Sequence, residues 1–397
     1  MKRMAPPYAR RVKRRTVLTT GLAWGALGVA SAFPIRTRAE EPVKMGMVEP
    51  LSGVYAALAA AEVEGARLAL EEVNHSGGIV GRQVQLLVED SANDIALGVA
   101  KTRQLIDRDH VDFIFGNVNS AVALAMTRVT AEKRKLHIVT GGHVDDITGS
   151  RCSWNVFRIC KTTTMEANAI ADTLVEKFGK KWYFLTPDYA YGYALQGAFE
   201  RKLRQHGGTW AGDLLPLGTV DYSRSLTSAG AYRPNVLIDL MGGEDQANSL
   251  QQIVRFGAAR IGWWTMEWWW NQPDVPQVKA FDEAIRRRTG RAASARNWFG
   301  YVAVHALARI ANQEKSLDPV VLARALEGYT LSPDVALESG RAFFRARDHQ
   351  LMSTILVGEV HAPRDDPFNV FATRAIAKAD QTTEPAEASA CKLAFPS

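Results

Sequence analysis

Residues 43 to 89 constrain the fold more than any other stretch, because one short apolar run, one loop and one long amphipathic helix stand there in immediate succession. The run opens at Val43 and gives way to Leu51-Ser52-Gly53. In the helix that follows, Val63, Ala66, Leu70 and Val73 recur at spacings of three and four and share one apolar stripe, while Glu62, Glu64, Arg67, Glu71 and Glu72 fall largely elsewhere. Asn74 begins the stop signal. Gly77 and Gly78 allow the left-handed backbone of a helix C-terminus, and Gly81 allows a further tight turn before a second strand, Val84 to Glu89. The pattern is a βαβ unit.

The same grammar continues. Ile95 to Asp107 reads as helix, Val111 to Phe115 as strand, Ala121 to Lys133 as helix, and Leu136 to Val139 and Val156 to Ile159 as strands. Such alternation predicts a parallel sheet covered on both faces. From Met165 to Thr265 it repeats, which predicts a second doubly wound lobe; at 397 residues the chain exceeds the usual size of a single core. Val275 to Arg288, Ala295 to Asn312 and Pro319 to Leu326 are three helical stretches with no full strand between them, and Leu351 to Val357 and Asn369 to Thr373 are later strands. Ala379 to Ala390, rich in Ala, Glu and Thr, reads as a mobile tail.

Leu51-Ser52-Gly53 and, after the helix, Asn74-His75-Ser76-Gly77-Gly78-Ile79-Val80-Gly81-Arg82 together resemble the opening of the periplasmic solute-binding proteins of branched-chain amino acid ABC transporters. The resemblance continues at lower specificity to about residue 290, and the C-terminal hundred residues diverge. It implies a type I periplasmic binding fold, α/β, with two doubly wound Rossmann-like lobes joined by a multi-strand hinge. Residues 43–160 plus 276–345 would form lobe one, and 161–275 plus 346–391 lobe two. It also implies a monomer without a cofactor that closes on a small anionic ligand and meets ABC permease membrane subunits.

Charge and targeting agree with export. The formal charge of +6 points toward nucleic acid, but residues 1–39 hold nine Lys or Arg and no acid, which leaves 39 basic against 42 acidic residues elsewhere. A chain with no basic excess, and no RNP-like or zinc-finger pattern, is not expected to bind nucleic acid. Residues 1–39 read as a signal peptide, with a basic stretch through Arg15 and a weakly apolar one from Thr16 to Ala32. Arg14-Arg15-Thr16-Val17-Leu18 resembles the twin-arginine signal, an arginine-rich Sec signal being the alternative. Cleavage fits after Ala32 or, closer to the first strand, after Ala39, and the expected compartment is the periplasm. In that oxidising setting Cys152 and Cys391, both in polar surroundings, are expected to pair, and Cys160 closes an apolar run; the odd count leaves one thiol free without saying which.

In open α/β sheets ligands lie beyond the carboxyl ends of the strands. Five loops qualify: Glu49 to Tyr55, with Ser52; Gly116 to Ser120; Thr140 to Val144; Asp188 to Gly192; and Gly242 to Asp245. Ser120, beside Asn119, either caps the helix it opens or receives a ligand carboxylate, the role the resemblance gives it. Thr140-Gly141-Gly142 allows close backbone approach or simply turns the chain. The family's Tyr-Gly aligns with Tyr191, and Tyr189 is the near alternative. Three successive tryptophans, Trp268 to Trp270, cannot all enter one core, so at least one is expected at a cleft or interface. Glu267 beside them aligns with the acid that holds a ligand ammonium.

One position departs from the family. Amino-acid binders carry a second hydroxyl residue after the threonine that ends this strand, and His143 and Val144 stand there instead. An α-amino acid is consequently in doubt, and His143 with Trp268 or Trp270 could accommodate an aromatic or other organic acid; otherwise His143 is a surface loop residue. No HExxH, GxSxG, Walker A or strand-following GxGxxG motif occurs, and the histidines are dispersed, so neither an enzyme nor a metal site is expected. A ligand-sensing receptor domain of a signalling system is the competing reading. Export without a visible output domain favours transport.

Overall fold

A computed structural model describes residues 41–258, 262–272, 275–363 and 365–396; the expected signal peptide lies outside them. Five strands, β1 (Val43–Glu49), β2 (Val84–Asp90), β3 (Phe113–Gly116), β4 (His137–Val139) and β5 (Val156–Arg158), pair in parallel in the order β2-β1-β3-β4-β5. Helices α1 (Ala56–His75), α2 (Ile95–Asp107) and α3 (Ser120–Glu132) connect the first four strands. Val43, Met45, Met47 and Val48 of β1 are all buried, which is why this strand reads as a continuous apolar run rather than an alternating one.

The second lobe starts with α4 (Thr163–Phe178), β6 (Lys181–Pro187), α5 (Ala190–Gln205), β7 (Thr209–Leu215), α6 (Ser223–Tyr232), β8 (Val236–Asp239), α7 (Gly243–Arg255) and β9 (Gly262–Met266). Its sheet is split. β7, β6 and β8 pair in parallel, whereas β9 runs antiparallel to a strand from the end of the chain.

The chain then returns. α8 (Pro276–Thr289), α9 (Ala295–Glu314), α10 (Pro319–Leu326) and the single turn α11 (Pro333–Ala336) pack on the first sheet, where Phe281, Val302, Leu307 and Leu322 share one core with β1 and β3. The short pair β10 (Phe343–Phe344) and β11 (Leu351–Met352) leads back to β12 (Ile355–Val360) and β13 (Phe371–Ala377), which complete the sheet β13-β12-β9. At the crossings Arg158 bridges to Gln350, whose side chain accepts from Arg158 Nε at 2.7 Å and donates to the Cys160 carbonyl at 2.8 Å.

Two expectations change. Glu62 is wholly buried on α1, because the apolar face that meets α9 is wider than the stripe read from four residues. Residues 379–390 form no loose tail. The turn α12 (Ala379–Thr382) packs on α4, Asn168 Nδ2 donates to the Thr382 carbonyl at 2.9 Å, and Cys391 is joined to Cys152 by a disulfide with Cα atoms 5.5 Å apart. Beyond it Phe395 packs on Trp154, and Cys160 is the free, buried thiol. A composition rich in Ala, Glu and Thr concealed a strap whose anchors are a few separate residues.

The tightest contact is the crossing of α1 and α9. A Cβ on Gly65 would lie 1.8 Å from the Asn297 carbonyl oxygen, and one on Gly300 would lie 2.0 Å from that of Glu62. Both clashes are with backbone, so no side chain can yield. Gly65→Ala and Gly300→Ala are each expected to destabilise the protein by about 2–3 kcal/mol or more, because the helices must separate. Urea denaturation measures this, and unchanged or increased stability, the usual result of Gly→Ala at an exposed helical site, would refute it.

Candidate functional site

The α1–α9 crossing sets two charged residues face to face. Arg296, in the first turn of α9 behind a Ser294–Asn297 capping box, donates from Nη1 to Glu62 Oε1 at 2.9 Å. Thr140 Oγ1 donates to the other Glu62 oxygen at 2.6 Å. Burial works against the Arg296 charge, but Glu62 more than restores it and leaves the guanidinium's pKa above its ordinary value. Gly141 has no side chain because Arg296 passes there: a Cβ would lie 2.5 Å from Nη1.

Glu49, at the end of β1, joins this pair from below. It is fully buried, accepts from the Val118 amide through Oε2 at 3.1 Å, and its Oε1 has no hydrogen-bond partner among the described residues. Burial first, and the adjacent Glu62 charge second, push its pKa well up, toward the neutral form.

Arg296 also reaches the cleft between the lobes, where Nη2 donates to His143 Nε2 at 3.3 Å. That contact fixes the tautomer. The proton is on Nδ1, which lies 3.1 Å from the Lys161 carbonyl, 3.1 Å from Glu166 Oε1 and 3.4 Å from Glu267 Oε1. Burial pushes the His143 pKa down to about 4, with Glu267 opposing, and pushes Glu166 up to about 8, with Arg296 opposing. Glu267 Oε2 accepts from the Lys161 amide at 2.6 Å, and the Tyr191 ring meets the imidazole edge-on at 5.7 Å. Arg296, Glu166 and Glu267 keep 17, 13 and 12% of their side-chain surface accessible.

Ser120, His143, Tyr191 and Glu267 thus converge. Ser120 is not the cap of α3: Asn119 is, accepting from the Ala121 and Val122 amides at 2.9 and 3.2 Å. Ser120 Oγ is turned inward instead and accepts from the His143 amide at 3.0 Å, which leaves its hydroxyl proton to donate. Thr140 stands behind the site on Glu62. Gly142 offers its carbonyl to Arg158 Nη1 at 3.2 Å and packs where a Cβ would touch Ala123 at 2.7 Å. Tyr189 meets Tyr55 across the lobes, hydroxyl to hydroxyl at 2.8 Å. Ser52 is exposed.

Trp268 is a correction. It is buried in the first lobe's core, its Nε1 donating to the Leu337 carbonyl at 2.7 Å and its ring against Phe281. Trp269 packs on Phe371 and Trp270 under Arg286, so the three rings are shared out where the lobes join and none stacks in the cleft. His143, for its part, is no surface residue; it is 4% exposed. Glu62, Glu166 and Arg296 were not singled out from sequence. Each lies on a helix whose visible signal is its apolar face, and nothing local marks the one charge that turns inward.

The profile of the family described as periplasmic binding protein matches residues 42–267 and 258–365. A Leu/Ile/Val-binding protein of Rhizobium johnstonii is 30% identical over 201 residues, half of this chain. The match spans only 54% of that relative's length, and 58% of a similar Brucella melitensis relative. A solved periplasmic binding protein from Burkholderia mallei superposes with a TM-score of 0.81 at 22% identity, covering 88% of this chain and 98% of that one. An ABC transporter solute binding protein from Rhodopseudomonas palustris, solved with benzoate, gives 0.75 at 20% identity over 89% of this chain and all of the other.

The raised pKa of Glu49 has a measurable consequence. A carboxyl whose folded pKa is raised contributes its stability in full at pH values below its ordinary 4.5 and loses it as pH rises through the folded pKa. Glu49→Gln keeps an acceptor for Val118 and cannot ionise. Its denaturation midpoint relative to wild type is expected to improve from pH 5 to pH 8, and a constant or falling difference would count against the raised pKa.

Proposed function

Because this chain belongs to the periplasmic binding protein family, we propose that it is an exported receptor for a small carboxylate solute, closing its lobes on the solute and presenting the closed form to an ABC permease. The observation that carries the reading is the convergence of Arg296 and Ser120 from one lobe with Glu166, Tyr191 and Glu267 from the other around His143. Only a closed cleft brings both sets together. The Tyr55–Tyr189 contact and the Glu244 amide on the Val54 carbonyl at 3.0 Å also span the lobes, and both must part for a solute to enter.

The names of the relatives support a small acid as cargo: one is a Leu/Ile/Val-binding protein and another holds benzoate. Export rests on the basic and apolar leader, residues 1–39, and the polar balance of the rest suits a monomer in the periplasm. Binding rather than turnover fits the chemistry. Burial pushes the Cys160 thiol's pKa up, the opposite of what a nucleophile needs, and His143 has no hydroxyl or thiol to activate at its protonated nitrogen.

Calorimetry with a panel of aliphatic and aromatic carboxylates tests this, with small-angle scattering to follow closure. A bound acid should shrink the radius of gyration. Ser120→Ala is expected to weaken it by about 1.5–3 kcal/mol, the scale of a hydrogen bond to a charged group. Unchanged affinity in that variant would remove Ser120 from the site, and no binding by any acid would remove the function.

A further inference from the structure

What the solute lacks can be read from His143, given the receptor reading above. Two carboxyl groups and a carbonyl converge on His143 Nδ1 at 3.1 to 3.4 Å. An ammonium that served both Glu166 and Glu267 would have to sit at charge-assisted hydrogen-bond distance, about 2.8 Å, from each. The ring nitrogen already occupies that position. His143 is also held from several directions: Arg296 donates to Nε2, Tyr191 meets the ring edge-on, the His143 amide donates to Ser120 Oγ, and its carbonyl accepts from the Thr163 amide at 2.9 Å.

We propose that the cleft selects carboxylic acids that lack an α-amino group, with His143 as the specificity-determining residue whose ring fills the acidic end of the cleft. Arg296 Nη2 and the Ser120 hydroxyl remain for the carboxylate. A second cation favours an anion there. Arg158, wholly buried beneath the His143 loop, donates to Gln350, Gly142, Val144 and Thr148, all neutral acceptors; among the described residues no carboxylate touches it, and Asp145, Asp348 and Glu267 act on its charge only from further off. At the acidic end Glu166 keeps its proton at neutral pH, which leaves an incoming ammonium a single full negative charge to meet.

A metal ion is a poorer occupant. His143, Glu166 and Glu267 offer atoms within 4.8 Å of one another, close enough to ligate a divalent cation. Ligation through Nδ1 would move the ring proton to Nε2, where it would face the Arg296 donor 3.3 Å away. Two donors would then oppose each other in a buried site.

Matched pairs that differ only by the amino group provide the test: 4-methylpentanoate against L-leucine, and phenylacetate against L-2-phenylglycine, titrated calorimetrically into wild type and His143→Thr. In the pair that binds, wild type should prefer the plain acid by about tenfold to a hundredfold, the range for denying one charged group its partner. His143→Thr, which vacates the ring position and supplies a hydroxyl, should narrow that preference by at least about tenfold through a gain for the amino acid. The wild-type comparison needs no variant, so misfolding of His143→Thr cannot rescue the idea. Equal or tighter binding of an amino acid by wild type overturns the inference and leaves the receptor reading standing; an unchanged preference in a folded His143→Thr does the same. No binding of any of the four, in either protein, overturns both.

Discussion

Two helices that touch through glycine hold this molecule's organisation in place. With Gly65 and Gly300 at the crossing, α1 and α9 approach until backbone meets backbone, and Asn297 Nδ2 donates to the Ala61 carbonyl at 2.8 Å across the seam. Glu62 and Arg296 flank that point. Their pairing is thus set by main-chain geometry, the most rigid reference a protein has, and the buried ion pair acquires the fixed partners without which it would be a liability. From Arg296 the order passes outward to the tautomer of His143, and from His143 to both acids of the opposite lobe. A backbone contact in one lobe ends up fixing where a proton sits between the two.

The cleft's charges are balanced by protons as well as by pairs. Of the four acids in or beneath it, Glu49 and Glu166 are driven toward the neutral form, first by burial, while Glu62 has Arg296 and Glu267 has the Lys161 amide. The low-dielectric interior that makes an unpaired carboxylate expensive is here satisfied in the least demanding way, by keeping the carboxyl protonated. Lys161 itself is buried, its ammonium on Ser353, and so contributes to the crossing between lobes rather than to the solute's space.

Much of this was legible in the sequence where the signal is periodic. The strand and helix succession from Val43 to Val139 stands within a residue or two of its expected bounds, since β1 and α1 carry apolar runs long enough to have one reading. Ser120, His143, Tyr191 and Glu267 were legible for a different reason: they sit at strand ends, where the fold class itself says to look. Arg296, Glu166 and Glu62 were not. A charge inside an amphipathic helix looks solvated until the neighbouring helix is placed, and their neighbours come from 234 residues away for Glu62 and from the opposite lobe for Glu166. Trp268 failed in the opposite sense: three adjacent indoles announced that something unusual happens at the end of β9, but only the packed lobes decide which core each ring joins.

The strap that ends in Cys391 turns the second lobe into part of a covalent ring. Cys152 lies just before β5 in the first lobe, and the 239-residue separation to its partner encloses all three other crossings between the lobes together with every strand of the second. A single peptide-bond break anywhere from residue 153 to residue 390 therefore opens the ring without dividing the molecule. A protease would first reach exposed loops of the second lobe, such as the one at Val220 and Asp221, rather than the crossings at Cys160, Lys161, Gln350 and Leu351, which are buried. In an oxidising compartment a nick there leaves both halves tethered in place, whereas the same nick after reduction sets a fragment free.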